Sequence, residues 1–206
     1  MSPVASRPSG LETRRAILDA ALDLFSERSF DGATTRAIAE RAGVAQPLLN
    51  YHYQSKEALW RAAVDSLFGL LTESMASHLA GLGDTDELTR AQLTVREFVV
   101  FSAHHPQLHR IITQESKADS ARMDYLVEHH VRPLYTSTVA IFEHLVRDGI
   151  VPPIAPEHLY YILTGAGPTM FVLAPECRRL TGLDPESEAV IEAHADAVCT
   201  LLFGRS

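Results

Sequence analysis

The chain has 206 residues, a formal net charge of −8 and 46% hydrophobic residues. This length and apolar content suit one compact domain or two small ones and exclude a wholly disordered chain. An acidic chain is at first sight a poor candidate for DNA binding, because phosphate contacts normally show up as an excess of lysine and arginine. However, residues 1–60 carry seven basic and seven acidic side chains, and residues 61–206 carry 11 basic and 19 acidic ones. The acidity therefore belongs entirely to the C-terminal part.

Cysteine usage and hydropathy indicate the compartment. Two cysteines, Cys177 and Cys199, are fewer than a disulfide framework needs, and the N-terminus has no apolar signal core, so we expect a reducing cytoplasm. The two thiols are either buried bystanders or a redox pair. The longest uncharged stretch, residues 159–175, is shorter than the roughly 20 residues of a membrane helix and contains two prolines. It predicts a buried helix and no membrane partner.

Apolar residues recur at helical spacing along the chain, and no strand pattern is found, so the predicted fold class is all-α. The first helix carries an apolar stripe between Ile17 and Phe25. Ser9 and Glu12, three residues apart, have the spacing of a capping box that would open this helix. Gly32 predicts its end.

Helix-end signals then predict three more helices. Thr34 is a good N-cap for a short second helix, and Gly43 suits the left-handed residue that follows it. A short third helix can begin at Gln46 with Pro47 in its first turn, where a missing N–H costs nothing. Ser55 predicts the N-cap of a long fourth helix.

Five further helices complete a prediction of about nine. Asp84 with Glu87 predicts the start of the fifth, and Asp184 followed by Pro185 predicts the start of the last. Prolines are expected to kink two of the long helices, Pro133 and Pro168 being the residues concerned. The predicted ranges of the fifth to eighth helices are about 84–104, 106–114, 119–147 and 156–180.

Residues 34–53 have the pattern of a helix-turn-helix, two short helices joined by a tight turn that contains glycine. The inner face is apolar and consists of Ile38, Ala39, Val44 and Leu49. The outer face of the second helix then presents Gln46, Pro47, Asn50 and Tyr51. From spacing alone, a DNA-reading element and a plain helical hairpin with a solvated face both remain open.

The residue types on the outer face suit DNA. Gln46 and Asn50 can each bond adenine in bidentate fashion, and Pro47 can pack on a thymine methyl group. Arg36, near the start of the preceding helix, can reach a guanine. Lys56 lies one residue past the Ser55 cap, where its charge and the helix N-terminus both favour a phosphate.

The stretch from about Arg15 to Trp60 resembles the DNA-binding domain of TetR-family transcriptional regulators. Many fixed spacings over some 45 residues carry the resemblance, which covers under a quarter of the chain, and the length and helical remainder also suit the family. The matching elements are Ala20-Ala21-Leu22-Asp23-Leu24-Phe25, Thr34-Thr35, Ile38-Ala39, Ala42-Gly43-Val44, Leu49, Tyr51-His52-Tyr53 and Ser55-Lys56-Glu57-Ala58-Leu59.

The resemblance implies a role for each matching residue. It implies that Gln46–His52 is the recognition helix and that Arg36 and Gln46 read bases. The residues that it implies hold the phosphate backbone are Thr35, Tyr51, His52 and Lys56.

Three positions depart from the family's pattern. Ala45 stands where serine is common, which removes a side-chain cap from the recognition helix. Pro47 replaces a usually small residue. Asn50 replaces a usual tyrosine, which puts a phosphate contact in doubt and offers a base contact instead.

For the remainder, the resemblance implies a helical ligand-binding and dimerisation domain, so the predicted domains are 9–54 for DNA and 55–206 for ligand and dimer. The last two long helices supply a surface rich in small residues, for which an intramolecular core is the alternative. The residues predicted at the dimer interface are Ile162, Leu163, Ala166, Ala193, Ala197, Val198 and Leu202.

Ten large apolar and aromatic residues of the middle helices predict a pocket for an unidentified apolar or aromatic effector. Taken singly, each of these residues suits an ordinary core better than a pocket, and only the set as a whole indicates a ligand region. They are Phe68, Leu71, Met75, Phe98, Phe101, His105, Met123, Tyr125, Tyr135 and Phe142.

Other chemistries have weaker support. His105 and His109 are four apart, a spacing that suits a metal pair, but Pro106 lies between them. We therefore expect no metal and no cofactor. A di-iron bundle enzyme would need two Glu-x-x-His motifs, which the sequence lacks, and no hydrolase or nucleotide-binding signature is found. The leading hypothesis is a homodimeric regulator that binds a double-stranded DNA operator; an all-helical enzyme and a protein-interaction adaptor are the alternatives.

Overall fold

The computed structural model describes residues 10–204, and all regular structure in that range is helical, which confirms the all-α class. The chain divides into two compact units, Met1–Phe68 and Gly69–Ser206. The α-helices are α1 (Gly10–Gly32), α2 (Thr35–Arg41), α3 (Gln46–His52), α4 (Lys56–Gly81), α5 (Glu87–His104), α6 (Pro106–Glu115), α7 (Ala121–Leu126), α8 (Arg132–Arg147), α9 (Pro156–Val172), α10 (Ala174–Thr181) and α11 (Glu188–Phe203).

The boundary between the units lies inside α4, whereas the sequence placed a domain boundary ahead of that helix, between residues 54 and 55. One face of the first three turns of α4 is buried in the N-terminal unit, which explains the difference. The apolar stripe of α1 and one face each of α2 and α3 are buried in the same core. The largest side chains of this core are Ile17, Leu24, Phe25, Ile38, Leu49, Leu59 and Trp60.

The helix ends of the N-terminal unit form as their sequence signals predict. The Thr34 hydroxyl accepts a hydrogen bond from the Ala37 N–H at 3.1 Å, and Gly43 has a φ of +65°. The Ser55 hydroxyl accepts from the Ala58 N–H at 3.0 Å. Ala45 precedes α3 without a side-chain cap. The capping box predicted at Ser9 lies outside the described residues.

One feature of α1 has no sequence signal. Ser29 has φ 62° and ψ 173°, and this residue interrupts α1 one turn before Gly32. That region of backbone space is essentially restricted to glycine, because a Cβ atom clashes there. The N-terminal unit therefore holds Ser29 in a strained conformation.

The C-terminal unit is built on α5, which packs against α9 and α11, while α8 packs against α9. Apolar faces of these four helices meet in one continuous core. Its members are Ala91, Val95, Val99, Phe142, Leu145, Val151, Leu159, Leu163, Phe171, Ile191, Ala195, Val198 and Leu202.

Two predicted helix starts are wrong. The N-cap of α5 is Asp86 and not Asp84, because the Asp86 carboxylate accepts from the Thr89 N–H at 2.9 Å. The last helix begins at Glu188, since Asp184 instead accepts the guanidinium of Arg178 at 3.0 Å and closes a turn.

The described residues form eleven α-helical segments, two more than predicted, because two long helices are divided. The helix predicted over 119–147 is interrupted by a π-helical segment, Val127–Val131. This segment directly precedes α8, whose first turn contains Pro133. The missing N–H and the bulk of a proline ring open the helical ladder at such a point. The helix predicted over 156–180 divides at Leu173. Pro168, the residue expected to kink it, lies inside α9. Among the described residues, every helix is too short or too polar to cross a lipid bilayer.

Candidate nucleic-acid interface and ligand region

The helices α2 and α3 form a helix-turn-helix. The Val44 N–H donates to the Ala39 carbonyl at 3.0 Å, and the Gly43 N–H donates to the Glu40 carbonyl at 3.2 Å, which closes the turn between them. Leu49 is fully buried and anchors the inner face of α3. The opposite face of α3 is thereby presented outward.

Three of the predicted DNA-contacting side chains on α3 are exposed: Pro47, Asn50 and Tyr51. Tyr51 has 81% of its surface exposed, which is unusual for a large aromatic residue. Its ring lies 5.4 Å from that of His52, which is half-buried. An exposed tyrosine beside polar groups suits a contact with another molecule.

A hydrogen-bonded group joins three of the predicted residues. The side-chain amide of Gln46 donates to the Thr35 hydroxyl at 3.1 Å and to the Asn50 side-chain oxygen at 3.3 Å. Gln46 is half-buried by these contacts. The structure therefore brings Thr35, Gln46 and Asn50 together, with Gln46 bonded to the other two.

The predicted cations have partners within the chain. The guanidinium of Arg36 donates to the Glu40 carboxylate at 3.0 Å, one helical turn away on the surface. Such exposed pairs contribute little stability, so Arg36 can exchange its partner at small cost. The Lys56 ammonium lies 4.4 Å from the centre of the Phe30 ring. That contact holds Lys56 near the start of α4.

Two other arginines of this unit have structural roles. Arg41 makes two hydrogen bonds to the Glu27 carboxylate, at 2.7 and 3.1 Å, and so ties α2 to α1. The hydrogen bond to Glu27 raises the pKa of the Arg41 guanidinium above its usual value. Arg14 donates to the Tyr53 hydroxyl at 3.3 Å.

The C-terminal unit contains a cavity of about 380 Å³ at the junction of α5 and α6. The cavity includes none of the ten residues predicted to line an effector pocket. Its lining residues are Ala103, His104, Pro106, Gln107, Arg110, Phe171, Ala174, Pro185, Glu186 and Ile191.

The ten residues predicted to line an effector pocket are distributed as follows. Phe68 belongs to the N-terminal unit, where it is buried. Phe142 lies in the core of the C-terminal unit, and Phe98 packs against it. Leu71 and Phe101 are buried as well. The remaining five are half-buried and stay predictions: Met75, His105, Met123, Tyr125 and Tyr135.

Sequence reasoning missed Arg110, whose guanidinium lies at this cavity. A signal was present, because no acidic residue lies three or four positions from it on either side. The two histidines considered as a metal pair have different surroundings. The half-buried His105 follows α5 directly, whereas His109 on α6 lies 3.2 Å from the Ser102 hydroxyl.

Burial lowers the pKa of the His109 imidazole to about 4. His109 is therefore neutral at physiological pH. Within residues 10–204, one group of three side chains has the spacing of a metal site: Glu87, His144 and Asp148, all on the surface. The hydrogen bond to Glu87, at 2.7 Å, raises the pKa of His144.

The predicted dimer interface needs correction. Leu163, Val198 and Leu202 are at most 8% exposed and belong to the core of their own chain, so they cannot form an outer surface. Apolar periodicity identifies the buried face of a helix, but it does not show whether that face is covered by its own chain or by a partner subunit. Ala193 and Ala197 are exposed on α11, and Ile162 and Ala166 are half-buried on α9.

Comparison with known proteins decides the family. Residues 17–63, which contain the helix-turn-helix, match the model of the bacterial regulatory proteins of the TetR family. The chain thus carries a DNA-binding domain of the TetR family. It is therefore a DNA-binding transcriptional regulator, and the family points to regulation rather than to an enzyme.

Similarity extends beyond the DNA-binding unit. The chain is 29% identical over 193 residues to the HTH-type transcriptional regulator RutR of Escherichia coli K12, covering 92% of this chain and 88% of RutR. It is 47% identical over 51 residues to the class A tetracycline repressor from transposon 1721 of Escherichia coli, 25% of this chain and 24% of that protein.

The fold as a whole also has solved counterparts. A crystal structure of AibR in complex with isovaleryl coenzyme A and operator DNA superposes with a TM-score of 0.75 at 17% identity, covering 94% of this chain and 100% of AibR. At that identity the likeness establishes the fold of both units. It assigns no residue of this chain to DNA.

Proposed function

We propose that this TetR-family regulator acts in the cytoplasm as a homodimeric repressor that binds a palindromic operator and is released by a small effector. The outward face of α3 carries the proposal. It presents Asn50 and Tyr51 to solvent, and Gln46 is held beside them by Thr35. The side-chain amides of Gln46 and Asn50 provide donors and acceptors for base edges in a groove that admits one helix, and Tyr51 provides a hydroxyl for the phosphate backbone.

The predicted contacts divide into two classes. Arg36, Gln46, Pro47 and Asn50 are the proposed base readers. The proposed phosphate contacts come from the hydroxyls of Thr35 and Tyr51, the imidazole of His52 and the ammonium of Lys56. With so few cations, specificity rests on geometry and on the pairing of two subunits, and the salt dependence is expected to be shallow.

A homodimer would use the outward faces of α9 and α11. These faces combine small residues, which allow close helix approach, with exposed Tyr161 and Leu201, of which 69% and 62% are accessible. Ala193 and Ala197 lie one helical turn apart on α11 and are both exposed. Two such helices from each subunit would form a four-helix interface.

Release by an effector requires a route from ligand to DNA. The helix α4 runs from Lys56, at the proposed DNA surface, to Gly81, beyond the boundary of the units. Two recognition helices reading half-sites one turn apart must lie roughly 34–36 Å apart. A shift of α4 that changes this spacing would therefore weaken operator binding.

Selection of bound sequences from a random DNA library by the purified full-length protein tests the proposal. The expected result is an inverted repeat whose half-sites are centred a whole number of turns apart. Tyr51→Ala should weaken binding to the selected DNA by about ten-fold or more, whereas Ile141→Ala, an exposed residue on α8, should not. Selection of no sequence would favour the adaptor or enzyme alternatives. Native mass spectrometry of the same preparation would detect a co-purified effector.

A further inference from the structure

The cavity of about 380 Å³ contains an arginine whose charge no acidic group balances. The Arg110 guanidinium donates only to backbone carbonyls, those of Phe171 and Val172, at distances of 3.2 to 3.4 Å. These bonds are long, and Nη1 takes part in none of them. Within residues 10–204, no carboxylate lies within 4.0 Å of Arg110. The half-buried cation therefore retains an unused donor.

The acidic side chain that lines the same cavity is paired with an arginine other than Arg110. Glu186 pairs with Arg178 at 2.9 Å, and that arginine also binds Asp184. His104, the other titratable side chain of the lining, lies 3.4 Å from the Glu188 carboxylate. Because Glu186 is already paired with another cation, Arg110 determines the electrostatic preference of the cavity, which favours an anion.

The cavity is lined by residues of α5, α6, α9, α10 and α11 and of the turn that precedes α11, and six of its ten lining residues are apolar. Gln107 and Arg110 lie three residues apart on α6 and so share one helical face. The apolar lining consists of Ala103, Pro106, Phe171, Ala174, Pro185 and Ile191. The volume falls within the range of small-molecule sites.

We propose that this cavity binds a small organic carboxylate with an apolar or aromatic body, held through the Arg110 guanidinium. A planar guanidinium matches a carboxylate, and one cation balances a monoanion. A phosphate dianion would need further positive groups, which the lining does not supply. The inference rests on the proposed function in one respect only, that the bound carboxylate is the effector.

Calorimetric titration of the full-length protein with benzoate, phenylacetate and hexanoate, and with their neutral amides, tests this inference. The carboxylates should bind with a Kd of about 1 mM or tighter, and each amide should bind at least about ten-fold more weakly. Failure of all three carboxylates to bind, or equal binding of acid and amide, would overturn it.

Two variants test the location of the site. Arg110→Gln should weaken carboxylate binding by about 10- to 100-fold, the usual effect of a charged hydrogen bond. Arg179→Gln is the matched control, because Arg179 is exposed on α10 and also donates to a backbone carbonyl, at Pro175. Ala103→Leu keeps the guanidinium but fills the cavity, so it should weaken binding as well. Unchanged affinity in folded Arg110→Gln or Ala103→Leu protein would place the ligand elsewhere.

Operator binding, measured in parallel, separates this inference from the proposed function. Loss of DNA affinity on adding a carboxylate, abolished by Arg110→Gln, supports both. A protein that binds its operator but no carboxylate contradicts the cavity assignment and leaves the DNA-binding proposal standing. A protein that binds carboxylate through Arg110 but selects no DNA sequence supports the cavity assignment and contradicts the proposed function.

Discussion

The side chains of Gln46 and Thr35 are joined by a 3.1 Å hydrogen bond that links the first residue of α3 to the first residue of α2. The Gln46 oxygen has no hydrogen-bond partner and is buried. To read adenine, Gln46 needs both its nitrogen and its oxygen. Base reading by Gln46 therefore requires a rearrangement of its contact with Thr35, so the two residues should act on DNA affinity together.

A double-mutant cycle measures this coupling. Thr35→Val and Gln46→Ala should be non-additive in operator affinity by about 0.5 kcal/mol or more, since residues in one hydrogen-bonded group couple. The control cycle pairs Thr35→Val with Lys56→Gln, residues with no mutual contact in the described structure, and should be additive. Fluorescence anisotropy with the selected operator provides the affinities. Additivity in both cycles would contradict the coupling.

Asn50 is predicted to read a base. Asn50→Ala should lose about 1–3 kcal/mol of discrimination at one base pair of the operator and little at the others. Titrations against all single-base operator variants measure this loss. Lys56→Gln provides the contrast, because loss of a phosphate contact should weaken binding evenly and reduce the salt slope by about one. A uniform loss in Asn50→Ala would show that Asn50 is not a reader.

Replacement of Ser29 by glycine should stabilise the N-terminal unit. Glycine adopts the observed φ of 62° without a Cβ clash, so we expect the free energy of unfolding to rise by about 1 kcal/mol. Urea titration followed by fluorescence of Trp60, the single tryptophan, reports on this unit. Ser66→Gly, in a regular part of α4, is the matched control and should destabilise. A decrease in stability for Ser29→Gly would contradict the strain.

An arginine at position 193 should disrupt the proposed dimer. Burying an unpaired guanidinium costs several kcal/mol, so Ala193→Arg should raise the dimer dissociation constant by about 100-fold or more. Sedimentation velocity measures the mass in solution. Ala140→Arg introduces the same charge at an exposed alanine of α8 and should leave the mass unchanged. A dimeric Ala193→Arg protein would exclude this face of α11 from the interface.

His109 should make the C-terminal unit sensitive to acid. Its pKa falls from 6.5 in the unfolded chain to about 4 in the fold, so the unfolded state binds a proton first. Stability should thus be full above pH 6.5 and decline as the pH falls toward 4, by about 2 kcal/mol between pH 7 and 5. Urea unfolding followed by circular dichroism should show a smaller decline in His109→Gln. His158→Gln, an exposed control, should behave as wild type; equal declines in all three would be inconsistent with a buried, neutral His109.

The helix-turn-helix could be predicted in detail because its determinants are local. The caps at Thr34 and Ser55 and the left-handed Gly43 each depend on backbone atoms within three or four residues. The outer face of α3 follows from helical geometry once Leu49 is assigned to the core. Even here the strain at Ser29 escaped prediction, because a serine has no intrinsic preference for that conformation.

The C-terminal unit could be predicted only as a set of helices. Leu163, Val198 and Leu202 have the same pattern whether they face their own chain or a partner, and only the packing of α5 against α9 and α11 assigns them to the core. Likewise, Arg110 lines the same cavity as Phe171 and Ile191, which are 61 and 81 positions away in the sequence. Periodicity reports which face of a helix is buried. Only the tertiary structure decides what covers that face and where packing leaves a cavity, because both depend on contacts between residues distant in the chain.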